Sequence, residues 1–272
     1  MSRFRKLFHS TKCAIIGMIH VKALPGTPKS EHSISQLIDY ACKEAVMYQR
    51  AKVDAVIVEN MFDVPYVMGA KMGPEVTAVM TRICSEVKKT VGNMPCGVQI
   101  LSGNNLRATA VALAAGLQFV RAEGFVFSHV ADEGLMNACA GSLLRYAKNI
   151  GASDILYLTD IKKKHCSHAI TQDINLPQTA RAAEFFLSDG VILTGTETGE
   201  PPNAGDLKDV KQATSLPVLI GSGVTSSNLK NYIKSDALIV GSHFKENGHW
   251  TGELKEDRIL QFMEEVHNLK LA

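Results

Sequence analysis

Runs of branched apolar residues, each of strand length, alternate with amphipathic stretches of helical period from one end of the chain to the other. Cys13 to His20 predicts a first strand, followed by the Leu24-Pro25-Gly26 loop and a helix from about Ser33 to Arg50. Asp54 to Asn60 predicts a second strand, with a helix opening at Gly73-Pro74, where proline suits the first helical turn. The third strand is read at Cys96 to Leu101 with a helix from Asn104 to Ala115, and the fourth at Leu117 to Glu123 with a helix from about Asp132 to Lys148. Asp154 to Asp160 forms a fifth strand, then a long loop and a helix from Pro177 to Leu187. Gly190 to Gly195 is the sixth, with a polar Gly/Pro loop and a helix near Leu207 to Ala213. The runs Pro217 to Gly221 and Ala237 to Gly241 are the seventh and eighth, and a last helix runs from about Asp257 to Leu269.

Strict β/α alternation gives a parallel sheet, because each crossover helix returns the chain to the same end. Strands this uniformly apolar are buried on both faces. Eight such units, with neither a linker nor a composition shift between them, predict one α/β domain over residues 13–272, a closed (β/α)8 TIM barrel. The first strand is not followed by G-x-G-x-x-G, which argues against a dinucleotide-binding sheet. Residues 1–12 are basic and carry no acid. They read as a short amphipathic plug beneath the barrel, or as part of an organelle-targeting helix.

Bulk properties narrow the function by exclusion. A formal charge of +2 with scattered basic residues leaves no footprint for nucleic acid. No apolar run reaches membrane-spanning length, the run from Val111 to Val120 being broken by Gly116 and Gln118. The six cysteines show no C-x-x-C spacing, which points to a reduced compartment: cytoplasmic, or an organelle matrix if the basic start is a targeting segment. A homo-oligomer is compatible with this composition, but no stripe of residues marks a face for it.

Active sites of such barrels lie at the C-terminal strand ends. There the chain places His20, Glu59, Asn60, Gln99, Arg121, Glu123, Asp160, Thr194, Thr196, Ser222, Ser242 and His243. Gly221-Ser222-Gly223 leads into Thr225-Ser226-Ser227-Asn228, a set of helix N-cap residues, and Gly241-Ser242 follows the eighth strand. Glycine lets backbone N–H groups approach a ligand, so two such tips side by side predict a cradle for phosphate or another anion; the alternative is a pair of plain strand-to-helix turns. Glu59 follows four apolar residues, as expected for a proton-transfer carboxyl at low dielectric or for an ion pair with Arg121. Asp160, with Lys164 and His165 in the next loop, supplies further catalytic candidates; Lys164 could bind phosphate or attack a carbonyl. His20, Asn60, Gln99, Arg121, Thr194 and Thr196 are the substrate-binding candidates. No cofactor is predicted; a divalent metal on His20, Asp160 and His165 would make a hydrolase and is the less favoured reading.

Taken together, Ile16-Gly-Met-Ile-His20 with Leu24-Pro-Gly26, Val58-Glu-Asn60 with Asp63-Val-Pro65, Asp132-Glu-Gly134, Asp160 with Lys164-His165, Thr194-Gly-Thr-Glu-Thr-Gly-Glu-Pro-Pro202 and Val218-Leu-Ile-Gly-Ser-Gly-Val-Thr225 resemble the BtpA/SgcQ family over residues 12–263. The resemblance implies a TIM-barrel-like, phosphate-binding fold. The family takes its name from photosystem I biogenesis, and some members are labelled nucleosidases. Lys162 and Lys163 stand where a histidine and an apolar residue are usual, so the role of the first of those positions does not carry over. The combined expectation is a metabolic enzyme acting on a phosphorylated sugar or nucleoside-like small molecule, by glycosidic-bond hydrolysis or by isomerase or lyase chemistry. Its rivals are a non-enzymatic assembly factor for a membrane complex and the metal-dependent hydrolase.

Overall fold

The computed structural model describes residues 2–9 and 12–271. Eight strands, β1 (Ala14–His20), β2 (Ala55–Glu59), β3 (Cys96–Gln99), β4 (Phe119–Ala122), β5 (Leu156–Asp160), β6 (Gly190–Leu193), β7 (Val218–Ile220) and β8 (Ala237–Val240), run parallel in chain order. Pairing of Ala14 to Gly17 with Ala237 to Val240 closes the barrel. Between and after them lie α2 (Ile34–Arg50), α3 (Pro74–Val91), α4 (Asn105–Ala115), α5 (Ala140–Asn149), α6 (Leu176–Phe185), α7 (Ala204–Ala213), α8 (Leu229–Tyr232) and α9 (Glu256–Leu271). The starts of α2 and α6 are fixed by capping boxes, Ser33 with Gln36 and Asn175 with Gln178. None of the described helices is long and apolar enough to cross a membrane.

Alternation along the strands sorts the core into two bodies. Ile15, Ile19, Val56, Val58, Val98, Val120, Val191 and Leu238 point outward and pack with the helices. Ala14, Ile16, Met18, Ala55, Ile57, Phe119, Leu156, Leu158, Ile192, Leu219 and Ile239 point inward and fill the barrel. Phe119 occupies the space above Gly97, where any side chain would collide with its ring. Below, a short helix, α1 (Arg3–Leu7), sends Phe4 and Phe8 into this inner body, with Phe8 5.9 Å from the Phe119 ring. Arg3 anchors it to Asp189 and to the carbonyls of Ser153 and Ile155. Of residues 1–12, Met1, Ser10 and Thr11 lie outside the described residues, as does Ala272 at the other end.

Two local expectations are corrected. The segment read as the start of a helix at Asp132 is a hairpin, His129–Ala131 against Gly134–Met136, and α5 begins only at Ala140. Gly134, at φ 118°, takes a conformation that a side chain would oppose, and Cys166–Ser167 from the β5 loop adds a third strand. The run Thr225 to Asn228 caps no long helix, since α8 is a single turn. Asn228 instead accepts from the Thr225 N–H and donates to the Gly223 carbonyl, closing the tip on itself.

Phe119 is fully buried in the inner body. Phe119→Ala is expected to lower the unfolding free energy by about 3–5 kcal/mol in urea titrations, because the closed barrel cannot collapse around the void.

Candidate functional site

The inward column of each strand continues upward past the apolar layers, and its last members are polar. By register His20 lies beside Glu59, and Glu59 beside Gln99, so three neighbouring strands present a row of polar side chains at one level. With Arg121 and Asp160 they floor a cavity of about 570 Å³ at the C-terminal end of the barrel. The same parity sends Asn60 outward. It is fully buried, donates to Asp63 and to the Leu101 carbonyl, accepts from the Leu101 N–H, and does not line the cavity.

At the centre of the floor Arg121 grips Asp160 with two parallel hydrogen bonds, Nε to Oδ2 at 2.9 Å and Nη2 to Oδ1 at 2.8 Å. Both side chains are almost wholly buried, so each charge depends on the other. Asp160 is therefore engaged in an ion pair, which is at odds with its reading as a free acid or base. Glu123 accepts from the Lys163 ammonium and the Gly103 N–H; burial works to raise its pKa, but these partners hold it below the usual carboxylate range. Glu59 differs. Its nearest basic partner is His20, at 3.7 Å, and burial raises its pKa against the opposing pull of Arg121 and Lys164. Burial, helped by the charge of Lys245, lowers His20 to about 3, so its imidazole is neutral; Nδ1 approaches the Trp250 carbonyl at 3.4 Å. Gln99 is buried with its Oε1 unpartnered.

Three consecutive lysines have three fates. Lys162 donates to the Thr171 carbonyl, Lys163 to Glu123, and Lys164 turns into the cavity, where its ammonium meets no hydrogen-bond or ion-pair partner among the described residues. Burial and then the charge of Arg121 lower the Lys164 pKa to about 8. The β6 loop sets this arrangement: Thr194 Oγ1 accepts from the Lys164 N–H, and the Thr196 carbonyl accepts from the His165 N–H. Thr194 and Thr196 thus hold the β5 loop and do not line the cavity, so the structure uses them as supports where substrate contacts were expected. His165 lines the rim, exposed, with Nε2 3.0 Å from Thr198 Oγ1. Among the described residues no three His, Cys, Asp or Glu side chains converge as metal ligands, and His20, Asp160 and His165 stay apart.

Two and three strands round the barrel from β5, the tips after β7 and β8 line the cavity with Gly221, Ser222, Gly223, Gly241 and Ser242. Part of their glycine content has a packing cause. Gly223 lies at φ 69° against the backbone of Glu200 and Pro201, and Gly241 leaves room for the His20 ring. The Ser222 hydroxyl is spent on the Glu200 carbonyl and the Gly195 N–H. The backbone N–H groups of Ser222, Gly223, Ser242 and His243 have no protein acceptor among the described residues. Sequence reasoning missed Tyr66, Trp250 and Arg258, which also line the cavity. Tyr66 is held by its hydroxyl on the Met61 carbonyl, whereas Trp250 and Arg258 depend on the loop 241–255, which folds back through Glu246 to Glu253 and is pinned by the buried Lys245, paired with Glu44 on α2. No local pattern in the sequence signals that return.

The model of the BtpA family matches residues 11–268. The chain belongs to the BtpA family. Among its relatives is an uncharacterized mitochondrial protein of Caenorhabditis elegans, 44% identical over 97% of each chain. The photosystem I biogenesis protein BtpA of Synechocystis is 32% identical, over 92% of this chain and 86% of that one. Among solved structures the fold is similar to the tryptophan synthase alpha subunit of Legionella pneumophila, with TM-score 0.60 and 12% identity over 98% and 99% of the two chains. It is also similar to thiamine phosphate pyrophosphorylase of Pyrococcus furiosus, with TM-score 0.59 and 11% identity over 95% and 97%. These likenesses establish the TIM-barrel fold.

Two outcomes are expected of this BtpA-family site. Arg121→Met leaves Asp160 buried without its partner and is expected to cost about 3–5 kcal/mol in urea unfolding, with part recovered when Asp160→Leu is added. Neutral His20 makes the fold acid-sensitive. The unfolded imidazole takes up a proton below 6.5, whereas the folded one stays neutral to about 3, so stability falls as pH drops from about 6.5 toward 3. The stability difference between the wild type and His20→Gln is expected to change by about 2 kcal/mol in favour of the variant between about pH 7 and pH 5, as read by denaturant titration at each pH.

Proposed function

We propose that this protein is a metabolic enzyme acting on a phosphorylated, carbonyl-bearing small molecule of the sugar-phosphate class, by isomerase or lyase chemistry. The observation that carries this reading is the division of labour among the charged groups in the depth of the cavity: Asp160 and Glu123 are tied in ion pairs, whereas among the described residues the Lys164 ammonium has no partner and the Glu59 carboxyl only a neutral imidazole. Glycosidic hydrolysis calls for two carboxyl groups flanking the bond. On the cavity floor that pair would have to include Asp160 or Glu123, each already gripped by arginine or lysine; the other lining carboxyls, Asp132, Glu133 and Glu197, belong to the rim loops. The hydrolytic reading is accordingly the weaker one.

With a pKa of about 8, roughly a tenth of Lys164 is unprotonated at neutral pH, enough for a nucleophilic amine. The amine adds to the substrate carbonyl carbon, and loss of water leaves a protonated imine. Electrons of the C–C bond between the α- and β-carbons flow into that imine as the bond breaks, which leaves an enamine on Lys164 and releases the β-hydroxyl carbon as a carbonyl. Glu59, whose pKa is raised by burial, takes the proton of the β-hydroxyl and returns one to the enamine α-carbon, which restores the imine. Water then cleaves the C–N bond and frees the amine. The substrate's anionic group would rest on the free N–H groups at the β7 and β8 tips.

A role in assembling a membrane complex, as the name of the Synechocystis relative suggests for that protein, has one observation in its favour. Val130 and Leu135 face one another across the rim hairpin and are both exposed. The open cavity behind it favours the enzyme.

Incubating the protein with C3–C6 sugar-phosphate aldehydes and ketones under borohydride is expected to give a stable adduct, mapped to Lys164 by peptide mass spectrometry and lost in Lys164→Met. Glu59→Gln should keep the adduct but slow turnover by about 10²–10⁴-fold. Absence of any adduct at Lys164 would rule out the imine route.

A further inference from the structure

The two glycine tips offer an anion only neutral groups. Their donors are backbone N–H groups and the Ser242 hydroxyl; the Ser222 hydroxyl is already committed to the Glu200 carbonyl and the Gly195 N–H. A phosphate monoester carries nearly two negative charges, and burying them against uncharged donors alone is costly. A cation is called for on that side of the cavity: Arg121, beside Gly221, is already neutralised by Asp160, and Lys164 belongs to the β5 loop, two strands round the barrel from β7.

Arg258 is that cation. It stands in the first turn of α9 and lines the same cavity wall as Gly241, Ser242 and His243. Its guanidinium is half-buried and makes no hydrogen bond or ion pair with any described residue. The acids nearest in sequence do not compensate it. Glu256 leans toward Arg50 at 3.8 Å, Glu246 pairs with Lys255 at 3.1 Å, and Asp257 is exposed to solvent. His243, the neighbouring basic side chain, turns its Nε2 to the Ser226 N–H and hydroxyl, at 3.4 and 3.3 Å, so it acts there as an acceptor for the β7 tip. An arginine facing a cavity with five donors and no acceptor is unusual unless a ligand supplies one.

We infer that Arg258 reads the ligand's charge: it turns the neutral β7–β8 cradle into a cationic one, so that the cavity takes a phosphate group in preference to a carboxylate or an uncharged hydroxyl. The inference rests on the anion cradle proposed above and deepens it. It requires nothing of the reaction at Lys164. The group selected is a terminal phosphate, whichever molecule carries it.

The test is calorimetric titration of the full chain with inorganic phosphate and, separately, with acetate, over a series of KCl concentrations. The proteins compared are wild type, Arg258→Met, Arg258→Gln and a control, Lys208→Met, exposed on α7. Wild type and control are expected to bind phosphate more tightly than acetate, with an affinity that falls as salt rises. Both Arg258 variants are expected to lose on the order of 10- to 100-fold in phosphate affinity, with a flatter salt dependence, an unchanged melting temperature and unchanged acetate binding. Phosphate binding in the Arg258 variants equal to wild type would overturn the role of Arg258 and leave the cradle standing. A wild type that binds no phosphate would overturn the cradle and this inference together. Either result leaves the borohydride experiment on Lys164 to be judged by itself.

Discussion

A closed parallel barrel gives every strand one face toward a column that water cannot enter, and that column has to be filled from bottom to top. Phe4 and Phe8 stop it from below, and Phe119 with the inward aliphatic side chains fills the middle. The top layer is polar, and it would be untenable without the doubly hydrogen-bonded Arg121–Asp160 pair at its centre. A buried pair of this kind contributes little net stability, since desolvation offsets most of the attraction, yet neither member can be removed alone. The pair therefore fixes where the apolar core ends and the cavity begins.

The state of every other group on the floor depends on it. With Asp160 consumed by Arg121, and Glu123 by Lys163, Glu59 is left in a dry position with a neutral histidine beside it. The Arg121 charge also works, after burial, to lower the Lys164 pKa. A cavity whose salt bridges were differently distributed would offer two free carboxylates and invite hydrolysis. This floor offers an amine and one carboxyl outside any pair with arginine or lysine.

The rim is built by mutual support between loops. The β6 loop holds the backbone of Lys164 and His165, the rim hairpin takes Cys166–Ser167 as a third strand, and the long return after β8 is pinned by Lys245 on Glu44. Loops anchored to one another in this way can carry reactive groups without the stiffness of a strand. The result is a BtpA-family barrel whose mouth carries a lysine, the N–H tips of β7 and β8, and an arginine.

Period-two alternation and the β/α rhythm are local properties, and they were enough to determine the eight strands, their parallel order and the barrel. The same parity, carried to the strand ends, places His20, Glu59, Gln99, Arg121 and Asp160 on the inner face and Asn60 on the outer, so most of the floor was legible before any coordinate. Other features depend on partners far away in sequence. Whether Asp160 is a free base is decided by Arg121, 39 residues earlier. Which of three adjacent lysines reaches the cavity is decided by Thr194, Glu123 and Thr171. The helix read at Asp132 gave way to a hairpin because Cys166–Ser167 supplied an edge to pair with. Arg258 reached the mouth through the returning loop, which leaves no periodic trace. Sequence alone determined the scaffold because strands obey local alternation. Charge states and loop placement awaited the tertiary structure because they are set by distance in space.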